Sequence, residues 1–296
     1  MIEKYLAELR MALAGADPAL VQDALYDAEE YLRAEIADST DEASFAAAIE
    51  RYGSPEEVAQ AYRETEVTVA RALQAPAPKA PKGKVGGFFG VLIDPRAYGS
   101  LFYLFFAFVM GIAYFTFVSV LLPLSVGLIP VFVGLPLLVG FFAAVRAISL
   151  AEGRVVESML GVRMPRRPRI AYVKGDWISR VKFWFTDGRT WTTLLYMVLQ
   201  LPLGIIYFTL GVTAITVSTV GIVWPIAQLF TDYPLIQMGG YGYVLQPWAT
   251  PIAMLGGLLC FVITLHLVRL IGKGHAIYAK AMLVGRYSDA PDQAAA

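Results

Sequence analysis

The sequence predicts an all-α protein, with a small helical cytoplasmic domain in front of a polytopic α-helical membrane domain built as two tandem helix-pair repeats. Three observations lead there. Residues 97–145 and 190–268 contain no lysine or arginine, while basic residues crowd the segments before, between and after them. The first 70 residues are acidic and punctuated by helix start and stop signals. The pattern that begins at Asp94 returns 93 residues later at Asp187.

A hydrocarbon core about 30 Å thick takes ~20 apolar residues per helix. The first basic-free stretch, 49 residues, therefore holds two spans and a tight turn near Ser125, and the second, 79 residues, holds two spans and a longer loop around Asp232 to Trp248. Basic residues concentrate on the cytoplasmic side of short loops. The connector carries Arg154, Arg163, Arg166, Arg167, Arg169, Lys174, Arg180, Lys182 and Arg189, and the tail carries Arg269, Lys273, Lys280 and Arg286. Both termini and the connector are thus expected in the cytoplasm, with the protein multi-pass in the inner (plasma) membrane. The expected divisions are a head (1–73), a linker (74–87), membrane repeat one (88–165), membrane repeat two (166–288) and a disordered tail (289–296).

Net charge is zero, but Met1 to Ala70 holds 16 acidic and 5 basic residues. The N-terminus is an acidic amphipathic segment without the basic-then-apolar order of a signal peptide, so no cleavage is expected. Cys260 is alone, which argues against an internal disulfide or a cysteine metal cluster, and two histidines, His266 and His275, argue against a histidine-rich metal site. Residues 97–145 contain no Asp, Glu, Lys, Arg or His, leaving no proton relay there. No catalytic constellation, cofactor site or direct nucleic-acid contact is expected.

In the head, Ile2, Tyr5, Leu6, Leu9 and Leu13 recur at helical spacing. Asp17-Pro18 opens a second helix with an N-cap and a first-turn proline; its stripe runs through Val21, Leu25, Ala28, Leu32 and Ile36. Asp41 can cap a third helix, which Gly53 ends. Ser54-Pro55-Glu56-Glu57 is a capping box for a fourth. A core this small depends on a partner, a second copy or the membrane. The acidic run Asp23, Asp27, Glu29, Glu30 and Glu35 reads first as a solvated helix surface, and second as a docking face for a basic partner. The linker, Gln74 to Gly87, is proline- and lysine-rich without an apolar period, and reads as partly extended.

Tyr5-Leu6-x-x-Leu9, Asp27-x-Glu29-Glu30-Tyr31 and Tyr52-Gly53-Ser54-Pro55-Glu56-Glu57-Val58-Ala59 resemble the HAAS signalling domain. The resemblance implies a helical interaction module ahead of membrane helices, and a PadR-type transcriptional regulator as the class of partner. Candidate partner-binding residues are Asp27, Glu30, Tyr52 and Glu57.

The repeat is carried by Asp94, Arg96, Tyr103, Gly111 and Tyr114-Phe115, answered by Asp187, Arg189, Tyr196, Gly204 and Tyr207-Phe208. Val145-Arg146 and Met159-Leu160 correspond likewise to Val268-Arg269 and Met282-Leu283. Two spans per repeat give both the same orientation. Asp94 and Asp187 are expected to cap the first and third spans. The segment 174–185, with Trp177, Val181 and Trp184 on one helical face, is suited to lie flat at the bilayer surface. Leu201-Pro-Leu-Gly-Ile-Ile-Tyr-Phe208, Gly134-Leu-Pro-Leu-Leu138, Arg146 to Arg154 and Leu160-Gly-Val-Arg-Met-Pro165 resemble a sensor domain of bacterial membrane proteins, which implies a sensing body without an attached kinase.

Glycines along the spans suit close helix packing, and Pro123, Pro130, Pro136, Pro202 and Pro225 interrupt the backbone ladder. The pairs Tyr114-Phe115 and Tyr207-Phe208 are candidate walls for an apolar or lipid-like ligand. His266 is read as packing or interfacial and Asp232 as a solvated loop residue. The loop before the fourth span is read as a re-entrant or interfacial lid, or equally as an outer docking site. The function expected is that of a non-enzymatic membrane sensor or regulator acting on a cytoplasmic protein. The alternative is an accessory or assembly subunit of a larger membrane complex. Expected partners are the lipid bilayer, that cytoplasmic protein, and either further copies of the chain or other membrane subunits.

Overall fold

The computed structural model describes residues 1–36, 42–73, 84–167, 185–231, 234, 236–238 and 241–284. Helices dominate them, as expected of an all-α chain: α1 (Ile2–Ala12), α2 (Pro18–Glu35), α3 (Glu42–Tyr52), α4 (Pro55–Leu73), α5 (Lys84–Phe89), α6 (Pro95–Gly127), α7 (Gly134–Leu160), α8 (Gly188–Ala227) and α9 (Thr250–Leu283). Among the described residues, four helices are long and apolar enough to cross a membrane, with mean hydropathy of 1.8 to 2.3 in their best windows. These are α6, α7, α8 and α9, the last extended by a preceding 3-10 turn, and they make the chain a membrane protein. The turn between the first two spans is later than Ser125. Helix α6 continues to Gly127, and a 3-10 turn at Ile129–Val131 with Phe132 in the left-handed region reverses the chain. Between the third and fourth spans stands a small hairpin, Ile236–Met238 paired antiparallel with Tyr241–Tyr243. The residues expected as a cap at Asp41, a surface segment at 174–184, the loop aspartate Asp232, the linker up to Gly83 and the tail from 289 lie outside the described residues, whereas the last linker residues, from Lys84, are helical.

The chain divides into two compact units. Unit 1 comprises Met1–Gln74, Phe117–Tyr196 and Ala276–Ala296, and unit 2 comprises Ala75–Thr116 and Met197–His275.

In unit 1, the head helices close around Tyr5, Leu9, Leu13, Leu20, Leu25, Leu32, Ala48 and Val58. The local signals act as sequence reasoning expects. Asp17 accepts the Ala19 N–H at 2.9 Å and starts α2. Gly53, at φ +111°, ends α3, and its carbonyl accepts the Tyr5 hydroxyl at 2.8 Å, tying α1 to that turn. The capping box forms reciprocally: Ser54 N–H donates to Glu57 Oε2 at 2.9 Å, and Glu57 N–H donates to Ser54 Oγ at 3.3 Å. Helix α7 runs unbroken from the second span to Leu160, where Gly161 at φ +72° terminates it. Buried Glu152 on α7 accepts the Tyr196 hydroxyl at 2.8 Å, Asp187 caps α8 through the Arg189 N–H at 3.2 Å, and the Trp191 indole donates to the Phe185 carbonyl at 2.8 Å.

In unit 2, Asp94 caps α6 through the Arg96 N–H at 3.0 Å and also pairs with Arg269 at 2.9 Å. The Tyr98 hydroxyl donates to the Leu92 carbonyl at 2.9 Å. Helices α6 and α8 meet backbone to backbone at two glycines. A Cβ on Gly111 would stand 2.7 Å from the Gln200 carbonyl oxygen, and one on Gly204 would stand 2.7 Å from the Phe108 Cα. The approach is reciprocal, because Gly111 faces Gln200 and Leu201 while Gly204 faces Ala107 and Phe108. His266 donates to the Phe88 carbonyl at 3.0 Å and stacks on the Phe88 ring, which is the packing role expected of it. The best window of α8 is only 11% buried, so this helix presents apolar surface on most sides, as a lipid-facing helix does.

Candidate functional site

In unit 1, the acidic helix of the head is docked on the basic segment that follows α7. Asp23 is 6% exposed. Its Oδ1 accepts the backbone N–H groups of Arg166 and Arg167 at 2.9 and 2.8 Å, and its Oδ2 accepts from the Arg163 guanidinium at 3.3 Å. The first two are backbone donors fixed by the turn after Gly161, so the carboxylate reads the shape of that turn as well as its charge.

Secondary contacts widen the clamp. Arg163 also faces Glu66 at 3.5 Å and Glu157 at 3.9 Å. Arg166 pairs with Glu157 at 3.0 Å. Arg167 pairs with Asp27 at 2.9 Å and lies over the Tyr26 ring at 5.8 Å. Gln22 donates to the Arg167 carbonyl at 2.7 Å and accepts from Arg189 at 3.3 Å. At the far end of α2, Lys280 on α9 meets Asp17 at 2.5 Å.

Burial pushes the Asp23 carboxyl above the usual aspartate range and Asp27 adds to the rise, while the two backbone donors and Arg163 pull the other way. Burial and the hydrogen bond to Asp27 raise the Tyr62 hydroxyl, and burial with Asp27 nearby pushes Tyr52 up to about 12. The acidic run is therefore not a uniformly solvated surface. Asp23 and Glu29 are buried, Asp27 is held by Tyr62 and Arg167, and Glu30 is exposed. The basic surface that Asp23 and Asp27 meet belongs to the same chain.

The other expected partner residues fall in different settings. Tyr52 stacks on Tyr31 at 4.6 Å within the head core, and Glu57 is exposed in the capping box. Of the aromatic pairs, Tyr114 is buried, Phe115 is exposed, and Phe208 packs beside Phe105 and Phe108 with its outer face exposed. Tyr207 reaches His275, a residue whose role sequence reasoning missed. In unit 2, buried His275 has the Tyr103 hydroxyl 2.7 Å from Nε2 and the Tyr207 hydroxyl 3.2 Å from Nδ1. A neutral imidazole donates from one nitrogen and accepts at the other, so one tyrosine is donor and the other acceptor. The histidine's helical offset from Tyr103 and Tyr207 was invisible in a chain read span by span.

Comparison with known proteins agrees with this division of the chain. A model of the HAAS family matches residues 4–61, and a model of the family described as Putative sensor matches residues 103–283. No curated protein and no solved structure matches the chain. Both matched families are signalling domains, and they stand in the order that the sequence resemblance implies. The sensor match covers more than half of the chain, which therefore belongs to the Putative sensor family and carries a HAAS domain at its N-terminal end.

Proposed function

We propose that the protein is a multi-pass sensor of the inner membrane, with both termini cytoplasmic, that controls a cytoplasmic protein by holding or releasing its HAAS head. The observation that carries this reading is the Asp23 clamp: a buried carboxylate of the head bonded to two backbone N–H groups and an arginine of the segment leaving the second span. A contact of that kind has two distinct states, because a bound carboxylate cannot slide by an ångström and keep three donors. Change at the end of α7 frees α2, and with it Tyr26 and Asp27, while Glu30 and Glu57 are exposed in both states. These residues form the partner surface, with Tyr52 supporting it from the core, and a PadR-type regulator is the partner class implied by the HAAS resemblance.

The same reading takes the membrane body as a duplicated helix pair with cytoplasmic ends. Its support is local and repeated: Asp94–Arg96 and Asp187–Arg189 caps, Tyr98–Leu92 and Trp191–Phe185 ties, and the reciprocal Gly111 and Gly204 approaches all obey the 93-residue offset. The test is in-cell crosslinking from Glu30 and Glu57, in the natural chain and in Asp23→Ala. Greater capture of one soluble regulator by the variant supports release. Capture of membrane neighbours alone, equal in both chains, favours the accessory-subunit reading instead.

A further inference from the structure

A cleft of about 740 Å³ opens in unit 1 beside the docked head, between α7, the first turns of α8 and the last turn of α9. One side is apolar, formed by Phe142, Val145, Leu150, Leu283 and Val284. The other is polar: Arg146, Ser149, Arg189, Thr190 and Thr193, with Gln22 of the head at the edge. Asp187 also lines it, so the two arginines leave one positive charge in excess. Arg146 marks the end of one basic-free stretch and Arg189 the start of the other. The cleft therefore lies where the helices leave the hydrocarbon, at the depth of lipid headgroups.

We infer that this cleft binds one anionic phospholipid, its phosphate held by Arg146 and Arg189 and the hydroxyls, its upper acyl chain against Phe142 and Val145. An apolar wall beside two guanidiniums fits an amphiphile. A free phosphate gains nothing from the apolar half, whereas a zwitterionic lipid forfeits part of the arginines' attraction. Arginine supplies paired donors to phosphate oxygens, and threonine and serine hydroxyls add neutral ones. The site does not depend on whether the head signals; Gln22 at its edge only makes occupancy visible to the head.

Native mass spectrometry of the full chain in detergent, titrated with phosphatidylglycerol and separately with phosphatidylcholine, tests the assignment. One phosphatidylglycerol should be retained in preference to phosphatidylcholine, and Arg146→Gln should cut that preference about fivefold, as loss of one basic residue at a headgroup does. Ser149→Phe, which fills the cleft, should abolish the retained lipid, while Asp23→Ala, which does not line the cleft, should keep it. Because Arg146→Gln alters charge with little change of volume, it tests the site even if Ser149→Phe packs badly. Unchanged preference in both cleft variants overturns the inference. Displacement of the lipid by millimolar inorganic phosphate also overturns it, in favour of a free phosphate.

Discussion

Replacing Asp23 by alanine should undock the head without disturbing the membrane spans. The change removes the acceptor for two backbone N–H groups at 2.9 and 2.8 Å and for Arg163 at 3.3 Å. Hydrogen bonds to a charged group contribute about 1.5–3 kcal/mol each. The burial cost that lifts the Asp23 pKa offsets part of this. Removing one partner of a buried charged contact costs about 3–5 kcal/mol, and the lower end suits a carboxylate already opposed by burial. A loss of about 3 kcal/mol shifts the docking equilibrium roughly a hundredfold. Hydrogen exchange of the full chain in nanodiscs reads this directly at the Arg166 and Arg167 amides, whose protection comes from Asp23. Asp23→Asn, with an acceptor but no charge, should fall between the natural chain and Asp23→Ala. Identical exchange of these two amides in the natural chain and in Asp23→Ala would refute the clamp.

The pH dependence has a definite sign. Since burial raises the docked pKa of Asp23, its contribution is fully present below the ordinary aspartate pKa and is lost as pH rises through the docked value; exchange corrected for intrinsic rate should show tighter docking at about pH 5 than at pH 7, a difference that Asp23→Asn abolishes. Arg163, Asp27, Glu66 and Glu157 surround this carboxyl, so a loosening on acidification would mean that they control docking instead. Ser54→Ala breaks the capping box and should destabilise the head by about 1 kcal/mol, seen as faster proteolysis of 1–73 with insertion unchanged. Gly111→Ala places a Cβ 2.7 Å from the Gln200 carbonyl oxygen and should cost about 1–3 kcal/mol by overpacking, measured as a lower melting temperature in detergent; an unchanged melt would contradict the close crossing. Tyr103→Phe removes the 2.7 Å contact with His275 and should cost about 0.6 kcal/mol, at most ~1.7, with Tyr207→Phe costing less because its contact is longer; the reverse order in thermal melts would count against this geometry.

What could be read from the sequence was local. Asp17, Gly53, the Ser54–Glu57 box and the caps at Asp94 and Asp187 each involve groups within a few residues, and each forms as their spacing requires. The first turn was placed too early because Ser125 looks like a chain-reversal residue, whereas its hydroxyl bonds back to the Leu121 carbonyl at 2.6 Å and lets the helix continue. Asp23 could not be distinguished from its acidic neighbours, because its donors lie 143 and 144 residues away and helical periodicity is the same for solvated and docked faces. Arg163, Arg166 and Arg167 were legible only as an orientation signal. The aromatic pairs were visible as pairs, but spacing alone could not say that Tyr114 turns inward and Phe115 outward.

The length of α7 has a mechanical consequence. Its 27 residues form a strut about 40 Å long, with no internal proline break beyond its first turn. Pivoted at its outer end, a tilt of only about 5° swings the inner end by roughly 3.5 Å over that length. Such a swing exceeds the tolerance of the hydrogen bonds at Asp23, and a helix commonly adjusts its tilt when bilayer thickness changes. The strut thus works as a lever whose short throw in the membrane becomes a whole-bond displacement at the head, so thickness or lateral tension could act as the stimulus without any ligand being recognised.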